Sequence, residues 1–155
     1  MPELSAGDKA PVFALEADDG SLFRLADHKG SKLVLYFYPK DDTQGCTLEA
    51  IDFTKAARAF AAADTKVIGV SPDTTASHCK FRDKYELGVT LLADPERKAI
   101  EAYGVWAEKS MYGRKYMGVD RSTFLIGPDG RVAQAWRHVK VAGHVEEVLA
   151  AAKAL

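Results

Sequence analysis

The chain has 155 residues, 47% hydrophobic and 28% charged, with a formal net charge of −1. This size suits one domain over residues 1–155 with its own core, and the near-neutral charge argues against nucleic acid or an anionic membrane as partner. "MPELSAGDKAPVF" lacks a basic region followed by an apolar run, and the longest strongly apolar stretch, Leu33 to Tyr38, is too short to span a bilayer, so a cytoplasmic location is expected.

In chain order, "FALEADDGSLFRL" reads as an N-terminal hairpin turning at Asp18-Asp19-Gly20. "LVLYFY" at 33–38 is β-branched and aromatic, as a buried central strand should be. The alanine-rich 47–64 segment has Leu48, Ile51 and Phe60 spaced for a helix, and "KVIGV" at 66–70 reads as the next strand. Strand, helix, strand implies a parallel pair with a right-handed crossover.

A second unit follows. Residues 75–87 read as a helix that Gly88 can cap, and 89–94 as a short strand. "PERKAIEAYGV" reads as a helix with Pro95 in its first turn and Gly104 near its end. "SMYGRKYMG" reads as a loop, in which Tyr112 and Met117 are candidates for the rim of a site. "STFLIGPDGRVAQAW" is a hairpin around Gly127–Gly130, and "AGHVEEVLAAAKAL" an amphipathic helix. The expectation is an α/β fold with a mixed central sheet and helices on both faces.

The two cysteines are Cys46 and Cys79. In a reducing cytoplasm such a pair argues for inert thiols or redox chemistry rather than a structural staple. Cys46 follows a strand and opens a helix. Thr43 is positioned as an N-cap, and Gly45 permits a tight turn. Unpaired backbone N–H groups in a first helical turn favour an anion there, hence the thiolate. Taken singly, Thr43 is a cap, Pro39 a strand terminator and Arg121 a surface charge.

The pattern Pro39-x-x-x-Thr43-x-x-Cys46 resembles the active-site motif of the peroxiredoxins. "FYPKDDTQGCTLEA" resembles their PrxQ, or bacterioferritin comigratory protein, branch. "GDKAPVFAL", "VIGVSPD", "LLADPE", "AYGVW" and "RSTFLIGPDGRV" extend the likeness over nearly the whole chain. The resemblance implies a thioredoxin-like fold and a thiol peroxidase acting on hydrogen peroxide and alkyl hydroperoxides. Cys46 would attack the peroxide, with Thr43 bonding thiolate and peroxide, Pro39 shielding the sulfur and Arg121 polarising the bound oxygen. Backbone N–H groups of Gly45 and Cys46 would bind peroxide oxygens. No metal or organic cofactor is implied, recycling by thioredoxin is, and relatives of this branch are often monomeric.

Many PrxQ-like proteins place a resolving cysteine five residues after the first, where this chain has Ile51. Cys79 is the remaining candidate, about 200° round its helix from Phe81 and so off the apolar stripe. A Cys46–Cys79 disulfide would require local unwinding, since bridged Cα atoms lie within about 7 Å. Two alternatives stand beside it: a one-cysteine peroxidase resolved by an external thiol, and a thioredoxin-fold binding or chaperone protein. His28, His78, His138 and His144 show no ligand spacing.

Overall fold

The computed structural model describes residues 4–155, so the first three positions of the stretch read for a leader lie outside it. β1 (Ala14–Ala17) and β2 (Leu22–Arg24) form the N-terminal hairpin. β3 (Lys32–Phe37) and β4 (Thr65–Ser71) are the expected parallel pair. β5 (Thr90–Ala93) is parallel to β4 and antiparallel to β1. β8 (Ser122–Ile126) runs antiparallel to β3, and β9 (Val132–Trp136) antiparallel to β8. The seven-stranded sheet has the order β2-β1-β5-β4-β3-β8-β9.

The alternation of β3 divides the core between the two faces of the sheet. Leu33, Leu35 and Phe37 join Ile68, Phe124, Ile100 and Tyr103 on one side. Val34, Tyr36 and Tyr38 join Cys46, Phe53, Phe60, Phe81 and Val148 on the other. Every one of these is under 4% exposed, so β3 is the buried spine that both helix layers cover. Gly69 on β4 sits against this spine. A Cβ there would stand 2.7 Å from Cζ of Tyr36, so only glycine admits the ring.

Four expectations change. The 47–64 helix is two, α1 (Gln44–Lys55) and α2 (Ala57–Ala62), broken at Ala56. α3 (Thr75–Tyr85) is capped by Glu86 in the left-handed region, φ 52°, not by Gly88. α4 (Lys98–Ala102) begins three residues after Pro95, because the Asp94 carboxylate accepts from the amides of Lys98 and Ile100 at 2.8 and 2.9 Å. The side chain of Asp94 thus does the capping that Pro95 was expected to mark.

The fourth change is the supposed loop at 110–118. It lies in a two-stranded hairpin, β6 (Trp106–Met111) and β7 (Arg114–Val119), separate from the main sheet. Its two-residue turn, Tyr112-Gly113, has positive φ at both positions, the conformation that matches strand twist. α5 (His144–Ala154) closes the chain as expected. Among the described residues no helix is long and apolar enough to cross a membrane.

Candidate active site

Cys46 is the third residue of α1, just beyond the C-terminal end of β3. It is 2% exposed, packed on the Tyr36–Tyr38 side of the sheet. Thr43 occupies the N-cap with extended backbone, yet its side chain makes no cap bond. Its hydroxyl donates to the Lys40 carbonyl at 2.8 Å. The amides of Gly45 and Cys46, which lack intrahelical partners by position, are therefore not taken up by the cap side chain.

Arg121 reaches this turn from the junction of β7 and β8. Its Nη2 donates to Cys46 Sγ at 3.2 Å and its Nη1 to Glu49 Oε1 at 2.6 Å. Gly45 is explained by this approach. Its φ is not positive, so no tight turn demands glycine, but a Cβ would lie 3.2 Å from Arg121 Nη2. The glycine makes room for the guanidinium. Pro39 is half-buried, two residues after the end of β3.

Glu49, three residues after Cys46, shares its helix face and fixes the far end of the guanidinium. The sequence reading missed it. Burial pushes the Glu49 carboxyl up from 4.5 to about 7, with Arg121 pulling back. Burial also opposes the charge of Arg121, but Glu49 and Cys46 outweigh it and raise its pKa. The two partners differ because the arginine side chain keeps 15% exposure and the glutamate side chain none. Glu49 Oε2 and the Tyr36 hydroxyl are buried and have no hydrogen-bond partner among the described residues.

A stability signature follows from the Glu49 carboxyl. A carboxyl raised from 4.5 to about 7 binds its proton more tightly in the folded chain. That contribution is complete below about pH 4.5 and is lost as pH rises through 7, on the order of 3 kcal/mol in all. Glu49→Gln cannot titrate, so its urea midpoints between pH 5 and 8 are expected to lack this decline. A slope equal to that of wild type would reject the assignment.

The hairpin β6–β7 stands beside the site. Lys109 is half-buried and lies within electrostatic reach of Arg121 and Cys46; burial holds its pKa down, against the pull of Asp120. Tyr112 is 99% exposed at the hairpin tip, and Met111 and Met117 are exposed beside it.

Cys46 and Cys79 are both free thiols, and Cys79 is half-buried on α3. Its Sγ donates to the Asp18 carbonyl at 3.1 Å, and Arg82 one turn later pairs with the Asp18 carboxylate at 3.0 Å. Asp18 lies against Leu91 on β5, two to three strand spacings from β3, roughly 10–14 Å. No histidine serves Cys46 as a base: His28 stacks on Phe23, His78 bonds Asp41, His138 bonds Asp120 and His144 bonds Thr123.

A buried sulfur in the first turn of a helix, held by a guanidinium and without a histidine base, defines a thiol-based redox enzyme rather than a cysteine hydrolase. Residues 6–135 match the model of the AhpC/TSA family. The chain is 49% identical to peroxiredoxin Bcp of Bacillus subtilis over 94% of its own length and 93% of that protein. It superposes on Xanthomonas campestris peroxiredoxin Q with a TM-score of 0.88 at 46% identity, covering 92% of this chain and 90% of that one. The bacterioferritin comigratory protein of the same organism, 45% identical with a TM-score of 0.87, covers the same shares of the two chains. It has been solved in trapped intermediate and ligand complexes bearing on its alkyl peroxide reduction activity. The chain belongs to the AhpC/TSA family, among its Bcp/PrxQ peroxiredoxins, and has their thioredoxin-like fold. It is a thiol peroxidase.

Proposed function

We propose that Cys46 is the peroxidatic thiol, acting on hydrogen peroxide and alkyl hydroperoxides. The observation that carries this reading is the 3.2 Å contact from Arg121 Nη2 to Cys46 Sγ. The thiolate attacks one peroxide oxygen, the O–O bond breaks, and the departing oxygen leaves as water or alcohol after taking up a proton. Cys46 becomes a sulfenic acid. Negative charge moves from sulfur to the leaving oxygen, along a line faced by the guanidinium and the amides of Gly45 and Cys46. Fixed donors aimed there stabilise the transition state more than the ground state.

Thr43 takes a narrower part than the resemblance implies. With its proton given to Lys40 O, the hydroxyl is an acceptor toward the site. It accepts a hydrogen bond from the O–H of the incoming peroxide, which keeps its proton, and so orients the O–O bond. Pro39 covers the sulfur side of the pocket.

The second step joins Cys46 to Cys79. The Cys79 thiol displaces water from the sulfenic acid, giving a disulfide, and a dithiol reductant of the thioredoxin kind restores both thiols. The first turns of α1 and α3 unwind, since Cys79 starts with its sulfur on Asp18 O. Serine variants of the Xanthomonas campestris peroxiredoxin Q have been solved at two cysteines 36 positions apart, against 33 here, a difference of about one helical turn. The protein works as a cytoplasmic monomer, with residues 1–155 acting as one domain.

Intact mass after one equivalent of peroxide, without added thiol, tests the cycle. Wild type is expected to lose two hydrogens, and Cys79→Ser to gain one oxygen instead. Recycling of Cys79→Ser by thioredoxin, thioredoxin reductase and NADPH is expected to fall by at least tenfold. A wild-type product that gains oxygen points to resolution by an external thiol.

A further inference from the structure

Away from the guanidinium, the loop that precedes Cys46 is fastened to the helix that carries Cys79. Asp41, two residues before Thr43, is buried, and His78, next to Cys79, is 0% exposed. Asp41 Oδ2 lies 2.7 Å from His78 Nδ1 and also accepts from Ser77 Oγ at 2.8 Å. Asp41 Oδ1 accepts from the Tyr38 hydroxyl at 2.6 Å. The Asp41 amide donates to Asp73 Oδ2 at 2.8 Å, just before α3 begins. The adjacent Asp42 takes the other end of α3, accepting from Lys84 Nζ at 2.8 Å and the Tyr85 hydroxyl at 2.6 Å.

His78 Nε2 lies 2.9 Å from the Leu92 carbonyl, which can only accept, so Nε2 carries a proton. The 2.7 Å contact between Nδ1 and Oδ2 needs a second proton, on the ring or on the carboxyl. Either way the pair is neutral overall and every inward-facing atom is matched, which a buried site requires. Asp41, Asp73 and His78 offer ligand atoms within 4.8 Å of one another. Asp41 Oδ2 accepts from Ser77 Oγ, and Asp73 Oδ2 from the Asp41 amide and Ser71 Oγ, so these carboxylates tie the loop to the start of the helix.

We propose that the Asp41–His78 pair is a clasp that holds the Cys46 loop to the Cys79 helix and sets the rate of disulfide formation after sulfenic acid forms. Both are positioning residues. They touch neither sulfur, and act by resisting the unwinding that brings Cys79 to Cys46. The proposal rests on the reading of Cys79 as the resolving thiol.

His78→Leu removes both ring nitrogens, with their bonds to Asp41 and Leu92, and opens the clasp. Asp41→Asn keeps it, because the Asn amide donates to the unprotonated Nδ1 of a neutral imidazole while Nε2–H stays on Leu92. Rapid-quench intact mass would give the rates of oxygen gain and of disulfide closure separately. The ratio of closure to oxygen gain is expected to rise about tenfold in His78→Leu and to stay within about twofold of wild type in Asp41→Asn. Amide exchange of residues 74–82 in the reduced proteins is expected to follow the same pattern. If His78→Leu fails to fold, Asp41→Ala against Asp41→Asn makes the same comparison. An unchanged or lowered ratio in the opened variant, or Asp41→Asn behaving like it, overturns the clasp. A wild type that forms no Cys46–Cys79 bond rejects the resolving role of Cys79. The exchange pattern of the reduced proteins still decides in that case whether the pair fastens α3.

Discussion

Replacing Cys46 by serine is expected to end peroxide turnover while leaving the fold in place. The attack needs a polarisable anion that also accepts oxygen, and a serine hydroxyl supplies neither at neutral pH. Stability should change little, because the substitution exchanges atoms of similar size at a site that already has a polar partner. Arg121 Nη2 sits 3.2 Å from Sγ, so the new hydroxyl can accept from it and no buried group is orphaned. The expected result is NADPH consumption with peroxide, thioredoxin and its reductase at the level of a protein-free control. Urea unfolding should place the variant within about 1 kcal/mol of wild type. Measurable turnover by this variant would remove Cys46 from the role of nucleophile.

What the sequence made legible follows from where information is local. β3 and β4 were readable because strands buried on both faces become continuous apolar runs, and because turn residues flank them. Cys46 was readable because a strand end, a glycine and a helix start are all neighbours in sequence. The β6–β7 hairpin was not readable, since it presents few buried residues and so no clear apolar alternation. Tyr112 also stands in a turn position where Asn or Asp usually announces a hairpin. The start of α4 was misread because an aspartate side chain, not the proline, supplies the cap.

The site divides the same way. Glu49 was within reach of reasoning, since three residues after Cys46 is the same helix face, but only the return of Arg121 from residue 121 gives it a partner. Gly45 was read correctly as special and for the wrong reason, its constraint coming from a guanidinium 76 positions away in sequence. Asp41 and His78 offered no signal at all. Their separation of 37 residues becomes a 2.7 Å contact only after the β3–α1 loop is laid across α3.

Arg121 is the second position where a large loss is expected. It has two tasks that need two nitrogens at once, Nη2 on Cys46 Sγ and Nη1 on Glu49 Oε1. Removing a fixed donor from a developing oxyanion typically costs about 100- to 1,000-fold in rate, and Arg121→Ala also takes a cation from beside the sulfur. The second-order rate of Cys46 oxidation by hydrogen peroxide is expected to fall by at least that range. Lysine keeps the charge but is a single point, unable to span both partners in the fork geometry. Arg121→Lys is therefore expected to fall between the two, at about a tenfold loss. Because Arg121→Ala also leaves Glu49 buried alone, the rate must be separated from folding. The pair Arg121→Ala/Glu49→Gln does this by removing the orphaned carboxyl. If positioning of the guanidinium is the sole catalytic use of Glu49, adding Glu49→Gln to Arg121→Ala should recover stability in urea and recover no rate. Recovery of rate with stability would mean that Arg121 serves the fold, and that the transition-state charge is held by the Gly45 and Cys46 amides alone.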